Sequence, residues 1–125
     1  MSLTPIRGSG AYSGLVSSQR IMRVTVQGRF SELSDPARQY LRANRDQHDV
    51  SRAAYTAEGT LTYDSLIDFF SLRYEIRLDE DDPDELAGAY AIREAEQFLG
   101  TMGFGYRGLK TTVMDMADVW SGRPG

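Results

Sequence analysis

Several residue types are missing or rare in this chain, and each absence removes a class of chemistry. Among the 125 residues there is no cysteine, and the only histidine is His48. Without cysteine the chain cannot hold a disulfide, a thiolate nucleophile or a cysteine-ligated zinc or iron–sulfur centre. A single histidine also excludes a multi-histidine metal site, which leaves only carboxylates as ligands for hard cations. We therefore expect neither a metal nor any other cofactor.

Long apolar runs and a dominant positive charge are lacking as well. No uninterrupted apolar stretch approaches the length that spans a bilayer, and residues 1–20 lack the apolar segment of a signal peptide. The 14 basic residues are outnumbered by 18 acidic ones, which gives a formal net charge of −4. A dedicated nucleic-acid binder would need a strong positive patch. We expect a cytoplasmic protein with no membrane or nucleic-acid partner.

The chain has the length of one domain whose core needs no disulfide or metal for stability. Residues 1–20 are rich in serine and glycine and show no periodic apolar pattern, and residues 121–125 resemble them in composition. These two segments predict a flexible leader and a flexible tail around a single domain at 21–120.

Apolar periodicity predicts four strands and two helices in this domain. Side chains alternate with period two at 21–30, 53–63, 69–78 and 106–116, as in half-buried strands. Helical spacing runs from 35 to about 47 and over 86–102, with Gly103 as the stop of the second helix. The resulting order is βαββαβ. Two such split βαβ units joined by a hairpin form a ferredoxin-like α+β sandwich, in which a four-stranded antiparallel sheet carries both helices on one face.

This fold leaves the second face of the sheet uncovered, with a polar, arginine-rich surface. In the strand at 53–63, the alternation places Tyr55, Leu61 and Tyr63 towards the core and the threonines outward. We expect irregular pairing at Gly28 and Gly59. The residues predicted to face outward are Arg23, Thr25, Gln27, Arg29, Thr56, Thr60, Thr62, Ser71, Arg73, Glu75, Arg77, Lys110 and Thr112.

Four arginines of this face, Arg23, Arg29, Arg73 and Arg77, are the predicted binding residues. A guanidinium group that becomes buried at a contact must be paired, because an unpaired buried charge is costly. Its planar fork of donors matches a carboxylate or another anion. These arginines therefore favour a small anionic ligand, or the carboxylates of a second copy in a homodimer.

Two segments resemble functional motifs but do not meet their requirements. Residues 103–108 match the G-x-G-x-x-G pattern, but a dinucleotide site needs a strand before the glycines and a helix after them, and here the order is reversed. The acidic run at 79–85 lacks the glycine and the final glutamate of an EF-hand loop. We interpret both as structural: the first as a helix stop with a turn, the second as a solvated loop before a helix.

An enzymatic alternative depends on a few acid–base groups. His48 lies between Asp46 and Asp49 near the predicted end of the first helix, where an imidazole is also favoured by the last carbonyls. Asp115 and Asp118 follow the last strand. A small-substrate enzyme of the dimeric α+β-barrel type would use His48, or Asp115 and Asp118, as acid–base groups.

Two further families share the βαββαβ topology but fit the residues less well. Residues 24–30 resemble the first strand and anion loop of acylphosphatases, but that family needs an asparagine on a later strand, and the only asparagine here is Asn44. RNA-recognition domains stack bases on aromatic side chains of the central strands, and the outward residues at 23–29 include none.

Six segments carry a more extensive resemblance. Residues 23–30, 48–49, 59–64, 68–70, 103–106 and 115–120 read RVTVQGRF, HD, GTLTYD, DFF, GFGY and DMADVW. With them, the core at 22–120 resembles a family of small bacterial domains of unknown function with a ferredoxin-like core. This resemblance implies membership but no activity, substrate or catalytic residue. We predict a non-enzymatic, self-associating module that uses its open sheet face or a sheet edge to bind a small ligand or partner.

Overall fold

A computed structural model describes residues 19–48 and 54–117 of the chain. Its elements follow the order β1 (Gln19–Phe30), α1 (Asp35–Ala43), β2 (Thr60–Tyr63), β3 (Phe69–Asp79), α2 (Glu85–Met102) and β4 (Tyr106–Asp115). A short 3-10 turn, Arg45–His48, follows α1. The predicted α+β class and the βαββαβ order are confirmed. No helix of the described ranges is long and apolar enough to cross a membrane.

The four strands form one sheet in the order β2-β3-β1-β4, and each neighbouring pair is antiparallel. The long strands β1 and β3 lie in the centre because their alternating sequences can bury one whole face. Met22, Val24 and Val26 in β1 have no exposed surface, and Leu72 and Tyr74 in β3 are almost as buried. The register of β1 against β4 shifts between Gln27 and Arg29, which confirms the irregular pairing expected at Gly28.

Helix α1 is shorter than its sequence pattern predicts. It starts after Ser34, whose side-chain oxygen accepts the N–H of Ala37 at 3.2 Å. It ends at Ala43, because the Asn44 side chain donates to the carbonyl of Tyr40 at 2.9 Å and the chain then continues as a 3-10 turn. The prediction of a helix to about residue 47 is therefore wrong: local side-chain bonding to the backbone ends the helix one turn early.

Helix α2 agrees with its prediction, including the glycine that ends it. Gly103 adopts the left-handed conformation with φ of 74°, which a glycine enters without steric cost. The helix packs on the sheet through small residues, and Ala87, Ala91 and Ala95 are fully buried. Both helices contribute side chains to the same buried cluster against β1 and β3.

The second strand differs most from its prediction. Only Thr60–Tyr63 pairs as β2, whereas the expected strand covered 53–63. Gly59 is not a bulge within a strand but a turn residue with φ of 94° just before β2. Upstream of it, Thr56 forms an isolated bridge to Tyr74 and its carbonyl accepts the N–H of Glu75. The period of two is therefore lost between Thr56 and Thr60.

The predicted domain limits fall near the ends of the described residues. Strand β1 begins at Gln19, so the last two residues of the predicted leader belong to this strand. Residues 1–18 and 118–125, which include most of the predicted leader and the whole predicted tail, lie outside the described residues. The flexible leader and tail stay predictions.

Candidate functional site

The sheet has an open face opposite the helices, and strand register arranges its side chains in rows. Thr62, Ser71, Gln27 and Lys110 form one such row, with one residue from each strand. The next row towards the middle of the sheet contains Thr60, Arg73, Thr25 and Thr112. Paired residues of antiparallel strands project from the same side of a sheet, so each row is a line of neighbours. Twelve of the thirteen residues predicted for this face belong to such pairs, Thr56 being the exception.

Tyr55 covers one part of this face, contrary to the prediction that it points into the core. Its hydroxyl group lies 3.1 Å from Oγ1 of Thr25, and the guanidinium carbon of Arg23 lies 5.1 Å from the centre of its ring. The change of direction follows from the turn at Gly59, which breaks the alternation that relates Tyr55 to Leu61. The threonine expected next to it, Thr56, bonds instead within the turn, to the N–H of Gly59.

The other end of the open face holds a pocket of about 700 Å³. Gln27, Thr62 and Ser71 contribute hydrogen-bonding groups to its lining, and Arg29, Phe69 and Lys110 contribute two cations and an aromatic ring. This volume is in the range of small-molecule sites. The pocket lies where β1 and β4 lose their regular register and where Gly108 in β4 has a positive φ of 69°.

The two cations of the pocket have no carboxylate partner among the residues that the structure describes. The guanidinium carbon of Arg29 lies 4.8 Å from the centre of the Phe69 ring, a cation–π contact that holds the side chain beside the pocket. Lys110 is exposed and lies opposite Gln27. Within residues 19–48 and 54–117, neither side chain forms an ion pair. Both charges are therefore available to an anion.

Asp64 adds one negative charge to the lining, and its role is to shape the turn between β2 and β3. Its Oδ1 accepts the N–H groups of Asp68 and Phe69, each at 2.9 Å. Desolvation opposes ionisation, but these and other backbone donors outweigh it, so the pKa of Asp64 is lower than usual. The ionised carboxylate fixes the start of β3 and with it the position of Phe69.

Thr62 is the buried polar residue of the site. Its side chain is only 3% exposed, and its hydroxyl oxygen accepts a hydrogen bond from Arg73 at 3.0 Å. The hydroxyl proton is still available for a second bond, because a threonine can donate and accept at once. Arg73 does not line the pocket itself but contacts Thr62, which does.

The structure separates the four arginines predicted to bind. Arg29 lines the pocket, whereas Arg23 stacks on Tyr55 and Arg73 contacts Thr62. Arg77 lies 3.7 Å from the carboxylate of Glu75 on the same strand, and 58% of its side chain is exposed. A joint binding role for the four stays a prediction. Lys110 and Phe69 belong to the pocket although neither was among the predicted binding residues.

The predicted acid–base groups are engaged in structural contacts. The Nδ1 atom of His48 lies 3.0 Å from the carbonyl oxygen of Leu61, and its ring packs on Tyr63 with 5.3 Å between the centres. His48 therefore contacts β2 rather than the last carbonyls of α1, the position we expected. Asp115 pairs with Arg20 at 3.2 Å, and Arg20 also binds Asp84 at 2.7 Å, which ties β1 to the start of α2. Asp118 lies outside the described residues.

Metal ligands do not gather in the part of the chain that the structure describes. No group of three or more histidine, aspartate or glutamate side chains is placed there to hold an ion. The acidic residues before α2 serve local structure: Asp82 accepts the N–H of Asp79, and Asp84 pairs with Arg20.

Comparison with known proteins gives a family but no activity. The profile of DUF6204, described as a family of unknown function, matches residues 17–125. This range includes all the described strands and helices and the whole pocket. No curated protein and no solved structure matches the chain.

Proposed function

Because this chain belongs to DUF6204, a family of unknown function, membership supplies no reaction, and we propose from its geometry that it is a small-ligand-binding module. The ligand is a small anion, held in the pocket on the open sheet face. Arg29 and Lys110 neutralise its charge, and the side chains of Gln27, Ser71 and Thr62 supply hydrogen bonds.

One observation carries this proposal: two cations that form no ion pair within residues 19–48 and 54–117 border a concave site that also contains uncharged polar groups. Binding sites are usually concave, mostly apolar and equipped with a few converging polar groups, and this pocket has that composition. The remaining arginines of the face do not line the pocket. Arg23 contacts the ring of Tyr55, Arg73 donates to Thr62, and Arg77 lies beside Glu75.

A nuclear magnetic resonance titration of the full chain tests the proposal. Small anions such as acetate, benzoate and phosphate, and the neutral amides of the two acids, are added to ¹⁵N-labelled protein. We expect the anions to shift the amide signals of Gln27, Ser71 and Lys110, and the neutral amides to have weaker effects. The double substitution Arg29→Gln and Lys110→Gln should abolish these shifts.

The matched control is Arg77→Gln, which removes a positive charge from the same face outside the pocket. It should leave the titration unchanged. The proposal fails if no anion shifts the pocket signals at millimolar concentration, or if Arg77→Gln reduces binding as much as the double substitution.

Self-association is the second part of the proposal, and an edge of the sheet is the surface that fits it. Strand β4 is an outer strand of ten residues that contains no proline, and most of its residues are exposed. An unpaired strand edge is a template for another strand. Antiparallel pairing about Thr111 would place Leu109 of one copy opposite Val113 of the other, with no like charges facing each other. Such a dimer leaves the pocket open, whereas a dimer through the open face would cover it.

The fold itself supports a finer proposal. We infer the ferredoxin-like arrangement from the order β2-β3-β1-β4, the antiparallel pairing throughout and the contribution of both helices to one buried cluster. The enzymatic alternative has no comparable support: His48 contacts Leu61 and Asp115 contacts Arg20, so neither faces the pocket.

A further inference from the structure

We propose that the ligand of this pocket is an aromatic monocarboxylate whose ring lies against Phe69 and whose carboxylate lies between Arg29 and Lys110. This inference rests on the function proposed above and names the chemical class that the pocket selects. Charge, exposed aromatic surface and hydrogen-bonding groups each contribute one part of the argument.

The charge of the lining favours a ligand with a single negative charge. Arg29 and Lys110 supply two positive charges, and Asp64 supplies a negative one. The carboxylate of Asp64 stays ionised, because backbone N–H groups stabilise it. One positive charge is therefore in excess. A dianion such as hydrogen phosphate would bring a second negative charge into the range of Asp64, and this repulsion disfavours it.

The aromatic part of the ligand follows from the position of Phe69. The residue is 54% exposed although it lines a concave site, and the Arg29 guanidinium group covers one side of its ring. Aromatic rings attract one another in offset or edge-to-face contacts, and a guanidinium plane also stacks on aromatic rings. A ligand ring can therefore contact Phe69 and Arg29 together. An aliphatic chain would lose both of these interactions.

The neutral polar groups set the orientation of such a ligand. Gln27 and Ser71 lie in one row of the sheet between Thr62 and Lys110, with Ser71 next to Thr62 and Gln27 next to Lys110. The Thr62 hydroxyl, whose oxygen accepts from Arg73, can also donate its proton. These groups can donate to the carboxylate or to a polar ring substituent without adding charge.

Four probes separate these contributions in a titration of the full-length chain followed by nuclear magnetic resonance. They are 2-naphthoate, its neutral amide, octanoate as an aliphatic monoanion, and inorganic phosphate. We expect 2-naphthoate to bind about fivefold more tightly than octanoate or the amide, since an aromatic pair and a partly exposed charge each contribute about that factor. Phosphate should bind more weakly than 2-naphthoate.

Three variants assign these contributions to residues. Phe69→Leu should remove the preference for 2-naphthoate over octanoate and leave the affinity for octanoate within about twofold. Lys110→Gln should weaken both acids about fivefold but not the amide. Arg77→Gln, the control outside the pocket, should change none of the affinities. Phe69 is exposed, so its substitution leaves the core intact, and circular dichroism verifies the fold of each variant.

The outcomes distinguish failure of this inference from failure of the proposed function. If octanoate or phosphate binds in the pocket as tightly as 2-naphthoate, the aromatic class is wrong but the anion-binding function stands. The aromatic class is also wrong if Phe69→Leu leaves the preference for 2-naphthoate over octanoate unchanged. If none of the anions shifts the signals of Gln27, Ser71 and Lys110, both proposals are overturned.

Discussion

Replacing Gly59 by alanine tests the reasoning about the turn that brings Tyr55 over the open face. Gly59 has a φ of 94°, a conformation that residues with a side chain rarely adopt. An added Cβ would overlap Cε1 of Tyr74, closer than any relaxed contact. Tyr74 is only 1% exposed in the core, so its ring has little room to move away.

The expected cost has two parts. A left-handed conformation costs an L-residue about 1–2 kcal/mol. Forcing an extra carbon into a packed core costs about 1–3 kcal/mol more. Gly59→Ala should therefore lower the free energy of unfolding by about 2–5 kcal/mol, a large part of the ~5–15 kcal/mol that a typical domain has.

Urea denaturation followed by circular dichroism measures this loss, and Gly100→Ala is the matched control. Gly100 lies in α2, and an added Cβ would meet no atom within 4 Å. Alanine there should raise the free energy of unfolding by about 0.5–1 kcal/mol, because it is the better helix former. The two glycine-to-alanine substitutions should thus change the free energy of unfolding in opposite directions. The reasoning is refuted if Gly59→Ala is as stable as the wild type.

Two further predictions concern pH and self-association. Burial, and then the nearby Glu94 carboxylate, raise the pKa of Tyr74 from 10.0 to about 12. Because the unfolded chain loses this proton at a lower pH than the folded protein, the free energy of unfolding should fall as the pH rises from 10.0 towards about 12. Tyr74→Phe should reduce this alkaline loss, and urea midpoints at neutral and alkaline pH measure it; an unchanged loss would contradict the assignment. Thr112→Lys should weaken a dimer formed through β4 about tenfold, because pairing about Thr111 would place the new lysines opposite Lys110 of the partner. Light scattering at micromolar concentration measures this, and a wild-type chain that is strictly monomeric excludes the dimer.

The central strands and the long helix could be predicted from the sequence because their patterns are long and uninterrupted. Val24 and Val26 alternate with Thr25, and Leu72 and Tyr74 continue the same pattern in β3, so one face of each strand is identified without any knowledge of its neighbours. The shorter elements were predicted less well. Asn44 ended α1 early through a bond to the backbone, and a single turn at Gly59 reversed the inferred direction of Tyr55.

The arginine-rich face was visible in the sequence, but which of its cations line a pocket was not. Alternation places Arg23, Arg29 and Arg73 on the open face, and the register agrees. Which of them lines the pocket depends on the folded strands and turns: Arg29 does, whereas Arg23 stacks on Tyr55 and Arg73 bonds to Thr62 outside it. Phe69 is the first residue of β3, and the pattern of its segment does not indicate a binding role. Its importance follows only from its position beside Arg29.

The sequence by itself determined the order of the strands and helices, the two faces of the central strands and the exclusion of thiol and multi-histidine chemistry. These properties are local or compositional, because the alternation of apolar and polar residues within one segment shows which of its side chains are buried. The tertiary structure decided which polar groups find partners, as when Arg20 reaches Asp115 across 95 positions of the chain. It also decided where this pocket lies, at the place where the register of β1 and β4 shifts and the turn before β3 ends. Such pairings depend on distances between distant segments, and no local pattern in the sequence records them.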